Sequence, residues 1–307
     1  DTCGSFAFDY QSIYSPAGLN PDNTGVIGLD DFDSSWGIWG HNLRKVLGAN
    51  TEKVYATING KANDSQLCFS SGEMFRLIES YITDNFGEKG KFRFVIAPDD
   101  TPYACTCPSC TAIGNTEKNA TPAVTELILR LSQRFPRHFF FTTSYLTTQQ
   151  VTDKQLPPNA GVIVSAINFP LRRIDGKDAK EKAFAGQLEQ WKNVTKNIYI
   201  WDYINNFDDY LTLMPILKIA RQRLQFFKQH GASGIFFNGS GYSYSSFDEM
   251  RTFVLSALLI NPELSVDNLT ASFFNQEYPA AKKWLYDYYT DLENGTQSGK
   301  RLGIYAG

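Results

Sequence analysis

Two aspartates, Asp99 and Asp100, stand side by side directly after the apolar run of residues 92–97. Adjacent carboxylates held close together cannot both keep their ordinary acidity, because charging one raises the cost of charging the other. A protonated carboxyl beside an ionised one suits cleavage of a glycosidic bond. That reaction needs a proton for the leaving oxygen and negative charge near an oxocarbenium-like centre. The same dipeptide ahead of Thr101-Pro102 is also ordinary turn chemistry, so the pair carries both readings.

Trp201-Asp202-Tyr203 closes the apolar run of residues 197–200 in a similar way. An acid between two aromatic rings suits a sugar site, with rings stacking on sugar faces and the carboxylate accepting from hydroxyls. A buried aromatic pair with a helix-capping Asp is the structural counterpart. Asp202 is therefore a candidate nucleophile or hydroxyl ligand. The segment Trp36-Gly37-Ile38-Trp39-Gly40-His41-Asn42 adds two glycines, which imply close approach to the backbone, and three candidate substrate contacts in Trp39, His41 and Asn42. Tyr145, Asn168 and Asn238 each follow an apolar run and join Trp201 and Tyr203 in the same set.

Five cysteines occur, at positions 3, 68, 105, 107 and 110. Cys105-x-Cys107-x-x-Cys110 packs three thiols into six residues, and Cys68 offers a fourth. Four thiolates complete a tetrahedral zinc site that would staple a loop beside Asp100. One or two disulfides are the competing reading, favoured in an exported protein. Either is a structural clamp, since no His lies nearby in sequence to activate a nucleophilic thiol. No cofactor is expected in the chemistry itself.

Something must bring these residues together. Short runs rich in Val, Ile, Phe or Tyr predict strands at 5–10, 36–41, 92–97, 138–145, 161–167, 197–203 and 234–238. Helical periodicity falls between them at 72–86, 122–135, 178–193 and 215–230. Strand–helix alternation means a parallel sheet, because parallel neighbours need crossover connections. Two architectures satisfy it, an open doubly wound sheet or a closed barrel. A doubly wound sheet gathers its chemistry at one switch point, whereas here polar and aromatic residues follow nearly every strand. The glycine fingerprint of a dinucleotide fold also fails, with Tyr244 where its third Gly should stand. The expectation is an α/β fold, a (β/α)8 TIM-type barrel. Seven strands rather than eight are evident; residues 26–29 are a candidate eighth, or the first strand is lacking or altered. Helical segments at 253–259, 266–275 and 280–292 predict a C-terminal helical cap. The expected division is a barrel over 1–250 and a helical extension over 251–307.

Composition narrows the function classes. Basic residues number 29 and acidic ones 32, with no long basic run, which excludes an electrostatic grip on nucleic acid. No stretch of 18 apolar residues exists, so no membrane span is expected. Aromatics at 14% argue for a packed core rather than a disordered chain. A metal-dependent hydrolase would draw several His to strand ends, yet the chain has three and only His41 is so placed.

Residues 36–47 (WGIWGHNLRKVL), Asn59-Gly60-Lys61 with Leu67-Cys68-Phe69, residues 97–110 (APDDTPYACTCPSC), 200–207 (IWDYINNF) and 231–239 (GASGIFFNG) together resemble a bacterial domain family of unassigned function. That family is described as glycoside-hydrolase-like and occurs in polysaccharide-utilisation systems. The likeness runs from about residue 5 to 295, and CxCxxC after an Asp is its most specific part. It is distantly similar to α-glucuronidases, β-N-acetylhexosaminidases and O-GlcNAc hydrolases. In the last group an Asp-Asp pair ends strand four, one Asp orienting the substrate acetamido group and the next acting as general acid. The resemblance implies those roles for Asp99 and Asp100, and a strand-seven position for Asp202, where many retaining barrels carry a nucleophile. It also implies a glycan partner and a secreted, periplasmic or cell-surface location.

Two functions follow from these residues. One is an exo-acting glycoside hydrolase with Asp100 as general acid at the end of strand four. The other is a catalytically inactive barrel that keeps the aromatics and binds carbohydrate without turnover.

Overall fold

The computed structural model describes residues 6–296 and 303–305, so Cys3 lies outside the described residues. Nine strands occur among the described residues: β1 (Tyr10–Tyr14), β2 (Trp36–Ile38), β3 (Tyr55–Ile58), β4 (Lys61–Leu67), β5 (Arg93–Val95), β6 (Phe139–Ser144), β7 (Ala160–Ser165), β8 (Asn197–Tyr203) and β9 (Gly234–Asn238). Seven of them form one sheet in the order β1-β9-β8-β7-β6-β5-β2, and β3 pairs with β4 in a separate antiparallel hairpin. The seven run parallel, with helices between successive strands except β6 and β7, which only the 3-10 turn Leu146–Thr148 separates, and this is an α/β, TIM-like fold.

The chain forms two compact units, one within residues 1–32, 166–189 and 199–307, the other within 33–165 and 190–198. In the second unit, β6 (FFFTTS) and β7 (AGVIVS) are buried almost throughout, as strands covered on both faces must be. The helix Gly72–Phe86 starts where Ser71 Oγ accepts from the Met74 N–H and stops at Gly87, whose φ of 64° suits glycine. It turns Met74, Ile78 and Ile82, four residues apart, toward the core. The helix Thr121–Arg134 adds Val124, Leu127, Ile128 and Leu131, and Phe94 and Phe140 fill the layer between helices and strands.

In the first unit, the helix Leu217–Gln229 buries Leu217, Ala220, Leu224 and Phe227 along one stripe. The helix Asp248–Ile260 packs on β1 and on Leu217–Gln229, continuing the strand–helix alternation after β9. Residue 251, the expected start of the helical extension, falls inside it. Helices Val266–Glu277 and Lys282–Thr296 complete the C-terminal helical region.

Three elements differ from expectation. The first strand is Tyr10–Tyr14 rather than 5–10, and it is present: β1 pairs with β9 from Tyr10 opposite Gly234 to Tyr14 opposite Asn238. In a barrel count from β1 the altered position is the second. Residues 26–29 form no strand, because the Val26 and Ile27 N–H groups turn back to Asn23 O and Gly28 sits at φ 72°. The following Asp30 instead lies beside β1, its N–H donating to Gln11 O at 2.8 Å and its Oδ2 accepting from the Gln11 N–H at 2.9 Å. The third difference is the β3–β4 hairpin, turned at Asn59 and Gly60 with φ of 52° and 74°, the left-handed pair of a two-residue hairpin turn. Among the described residues no helix is long and apolar enough to cross a membrane.

Candidate functional site

Within the second unit, β2, β5 and β6 are sheet neighbours and run parallel, so their C-terminal ends share one edge. Trp39 and His41 follow β2, Asp99 and Asp100 follow β5, and Tyr145 follows β6. The Trp39 ring meets Trp36 edge-on at 4.6 Å, and Trp36 packs on Phe141 of β6 at 5.6 Å. The His41 and Tyr145 ring centres lie 6.2 Å apart. Asn42 precedes the helix Leu43–Leu47 at its N-cap position, half-buried, with no side-chain capping bond.

The two adjacent carboxylates are treated differently. Asp99 is half-buried, and its Oδ2 accepts from Arg44 Nε at 2.6 Å. Arg44 also donates to Asp64 O on β4, and its guanidinium lies 5.8 Å from the Tyr55 ring centre. The backbone of Asp99 is gripped twice by the buried Gln66 of β4: the Asp99 N–H donates to Gln66 Oε1 at 3.0 Å, and Gln66 Nε2 donates to Asp99 O at 3.2 Å. Gln66 Nε2 reaches Thr101 Oγ1 at 3.1 Å as well. Asp99 Oδ1 keeps no partner among the described residues, and neither does the carboxylate of Asp100, which is exposed.

His41 Nδ1 bonds to the Pro98 carbonyl, immediately before Asp99. A carbonyl only accepts, so Nδ1 carries the hydrogen and Nε2 of the neutral ring is left as an acceptor. The side chain is half-buried.

Farther along the loop after β5, three cysteines converge with Cys68. Cys68, Cys105, Cys107 and Cys110 are unpaired thiols whose sulfurs lie within 4.8 Å of one another, a cluster able to hold a metal ion. Cys68 Sγ is 3.7 Å from Cys107 Sγ and 3.8 Å from Cys110 Sγ. Bonds from Cys110 and Cys68 lower the Cys105 thiol, and the same mutual contacts with burial raise Cys110.

The first unit handles its expected residues separately. Tyr14, Asn238 and Tyr203 lie level across β1, β9 and β8. Trp201 packs edge-on against Phe236 at 5.1 Å, on the same face of its strand as Tyr203, two residues on. Asn168, after β7, is exposed.

Asp202 is the candidate nucleophile or hydroxyl ligand of β8. Strand alternation sends it to the face opposite Trp201 and Tyr203. There both of its oxygens are taken by Arg223 of the helix Leu217–Gln229, Nε to Oδ2 at 2.8 Å and Nη2 to Oδ1, with 1% of either side chain exposed. Arg223 Nη1 also donates to Phe169 O and Pro170 O at 3.2 and 2.9 Å, so the pair ties β8 to the loop after β7.

The family model described as a domain of unknown function, DUF4838, matches residues 41–291. The chain belongs to this family. The matched span of the DUF4838 domain starts at His41 and takes in Asp99, Asp100, Asp202 and all four described cysteines. No curated protein matches it. Among solved structures, it is similar to cellulose synthase subunit Z from Clostridioides difficile at 12% identity and TM-score 0.39, covering 62% of this chain and 68% of that one. It is similar to a GH5-4 broad specificity endoglucanase from Clostridum cellulovorans at 8% identity and TM-score 0.36, over 83% and 95%. The carboxyl transferase domain of Rhizobium etli pyruvate carboxylase follows at 10% identity and TM-score 0.28, with 97% of this chain spanning 36% of that one.

Arg44, Gln66 and Arg223 were not singled out by residue type or spacing. A signal for Gln66 existed in the Asn59-Gly60 turn, which marks a hairpin and places Gln66 late on its second strand.

Proposed function

We propose that this DUF4838 domain is a glycoside hydrolase acting at the end of a glycan, with Asp100 as general acid. The unequal treatment of the neighbouring carboxylates carries the reading. Asp99 is immobilised by Arg44 and Gln66, while Asp100, next along the chain, stays exposed and unpartnered at the strand-end edge. In the reaction the glycosidic C–O bond breaks as the Asp100 carboxyl gives its proton to the leaving oxygen. With Asp202 committed to Arg223, the nucleophile comes best from the substrate: the acetamido oxygen of an N-acetylhexosaminide closes on the anomeric carbon, and water then opens the ring so formed. Asp99 Oδ1 is free to accept from the acetamido N–H, and His41 Nε2 from a sugar hydroxyl. Trp39 and Tyr145 supply rings for stacking, and Asn42 a polar contact. Trp201, Tyr203, Asn168 and Asn238 are read separately, as sugar contacts within the first unit.

No cofactor enters this chemistry; the four thiols are read as a structural zinc site. A glycan substrate implies work outside the cytoplasm. A second reading, a carbohydrate-binding barrel without turnover, is favoured by one observation: Asp202 is buried against Arg223, so it offers no second acid to a sugar.

A panel of aryl glycosides covering N-acetylhexosaminides, glucuronides and neutral hexosides separates the two. Turnover of the N-acetylhexosaminide is expected. Sugar binding with no turnover of any member would transfer the assignment to the binding barrel.

A further inference from the structure

The thiol cluster and the support of Asp99 share one hairpin. Cys68 directly follows β4 and lies two residues beyond Gln66, which holds the Asp99 backbone. On the other strand, the Thr57 N–H donates to Cys105 Sγ at 3.2 Å, and Thr57 O accepts from the Thr106 N–H at 2.8 Å. Cys105 in turn lies six residues after Asp99 on the loop that carries both. The hairpin and the loop are therefore joined at two places, at Gln66–Asp99 and at the sulfurs.

β4 itself (KANDSQL) has little apolar side-chain area with which to bind the loop. Of its residues only Gln66 and Leu67 are buried. A hairpin this polar is marginal on its own and needs an added tie.

The sulfur spacing suits such a tie. A tetrahedral ion with metal–sulfur bonds near 2.3 Å sets its sulfurs about 3.8 Å apart, whereas a disulfide brings them to about 2.0 Å. The Cys68–Cys107 and Cys68–Cys110 separations are 3.7 and 3.8 Å. Backbone N–H groups aimed at thiolates are the usual outer support of such sites, and two occur here, Thr57 to Cys105 and Cys110 to Cys107 at 3.4 Å.

We infer that the four cysteines hold one zinc ion, and that this ion fixes the β3–β4 hairpin against the Asp99 loop so that Gln66 positions Asp99. Gln66 is a positioning residue; it touches Asp99 through the backbone and orients the carboxylate from there. The relevance of that position to chemistry rests on the hydrolase reading, but the zinc and the coupling do not.

The test uses the full chain, purified without chelator. Metal analysis should find one zinc per chain, with the four thiols slow to react with an aromatic disulfide until the metal is withdrawn. Cys107→Ser, changing the partly exposed ligand, should lower the zinc content. Amide exchange then reads the coupling. The Asp99 amide should exchange at least ~10-fold faster once zinc is withdrawn, while the Ala220 amide, inside the helix Leu217–Gln229, should not change. Gln66→Leu should release the Asp99 amide with zinc retained and the Thr57 amide still protected. Absence of zinc, or sulfurs found paired as disulfides, would overturn the site. An Asp99 amide indifferent both to metal withdrawal and to Gln66→Leu would overturn the coupling. None of these measurements needs turnover, so failure of the hydrolase reading leaves them standing, and their failure leaves the glycoside panel standing.

Discussion

Arg223 holds Asp202 through both carboxylate oxygens in a part of the first unit where 1% of either side chain is exposed. An isolated charge there has no water to fall back on. Asp202→Asn leaves the guanidinium buried and half-paired and should cost about 3–5 kcal/mol in urea unfolding. Asp202→Leu combined with Arg223→Met should recover much of that loss, because apolar residues of similar volume carry no charge to desolvate. If Asp202→Asn kept full stability and lost only turnover, the placement of Asp202 as a structural partner would be wrong.

Arg44 and Asp99 make a different kind of pair. The guanidinium is a third exposed, so its contribution to stability is small, and Arg44→Met should shift the unfolding free energy by about 1 kcal/mol or less. Turnover should fall further than stability, by ~10-fold or more, since the freed carboxylate loses one of its fixed orientations. Steady-state kinetics beside a urea titration separates the two effects. Unchanged kcat/KM would remove Asp99 from the site.

Glu293 gives a pH signature in the first unit. Burial raises its carboxyl above the usual 4.5, although the Leu217 and Lys218 N–H groups bond to it and oppose the shift. The folded chain therefore holds this proton more tightly than the unfolded one. The stability this group contributes is full below pH 4.5 and is lost as pH rises through its folded value. The unfolding free energy of Glu293→Gln relative to the natural chain should then move in the variant's favour between about pH 4 and about pH 7. Parallel pH profiles would contradict the shift.

The parallel sheet was legible in the sequence because its strands are buried on both faces. Phe139–Ser144 and Ala160–Ser165 read as continuous apolar or small-residue runs, and the helix Gly72–Phe86 carries a clean stripe in Met74, Ile78 and Ile82. The β3–β4 hairpin was not, since KANDSQL has no apolar alternation and only Asn59-Gly60 announces the turn. Residues 26–29 look like a strand by composition, yet Gly28 at positive φ and 85% exposure of Val26 mark a turn. At the candidate site, the residue types at strand ends brought Trp39, His41, Asp99, Asp100 and Tyr145 to one edge. For Asp202, three consecutive residues in the sequence did not show which face each one takes. In a strand, Trp201 and Tyr203 share a face and the residue between them cannot. Arg44 and Gln66 were invisible because their partners lie 55 and 33 residues away in sequence.

The most direct test of Asp100 as general acid compares the natural chain with Asp100→Asn on two N-acetylhexosaminides, one with a poor leaving group and one with a strongly acidic aryl alcohol. An acid catalyst matters only where the leaving oxygen needs its proton. Asp100→Asn should therefore lower kcat/KM by ~10² or more on the first substrate and by far less on the second. Equal losses on both substrates, or no loss on either, would contradict the assignment.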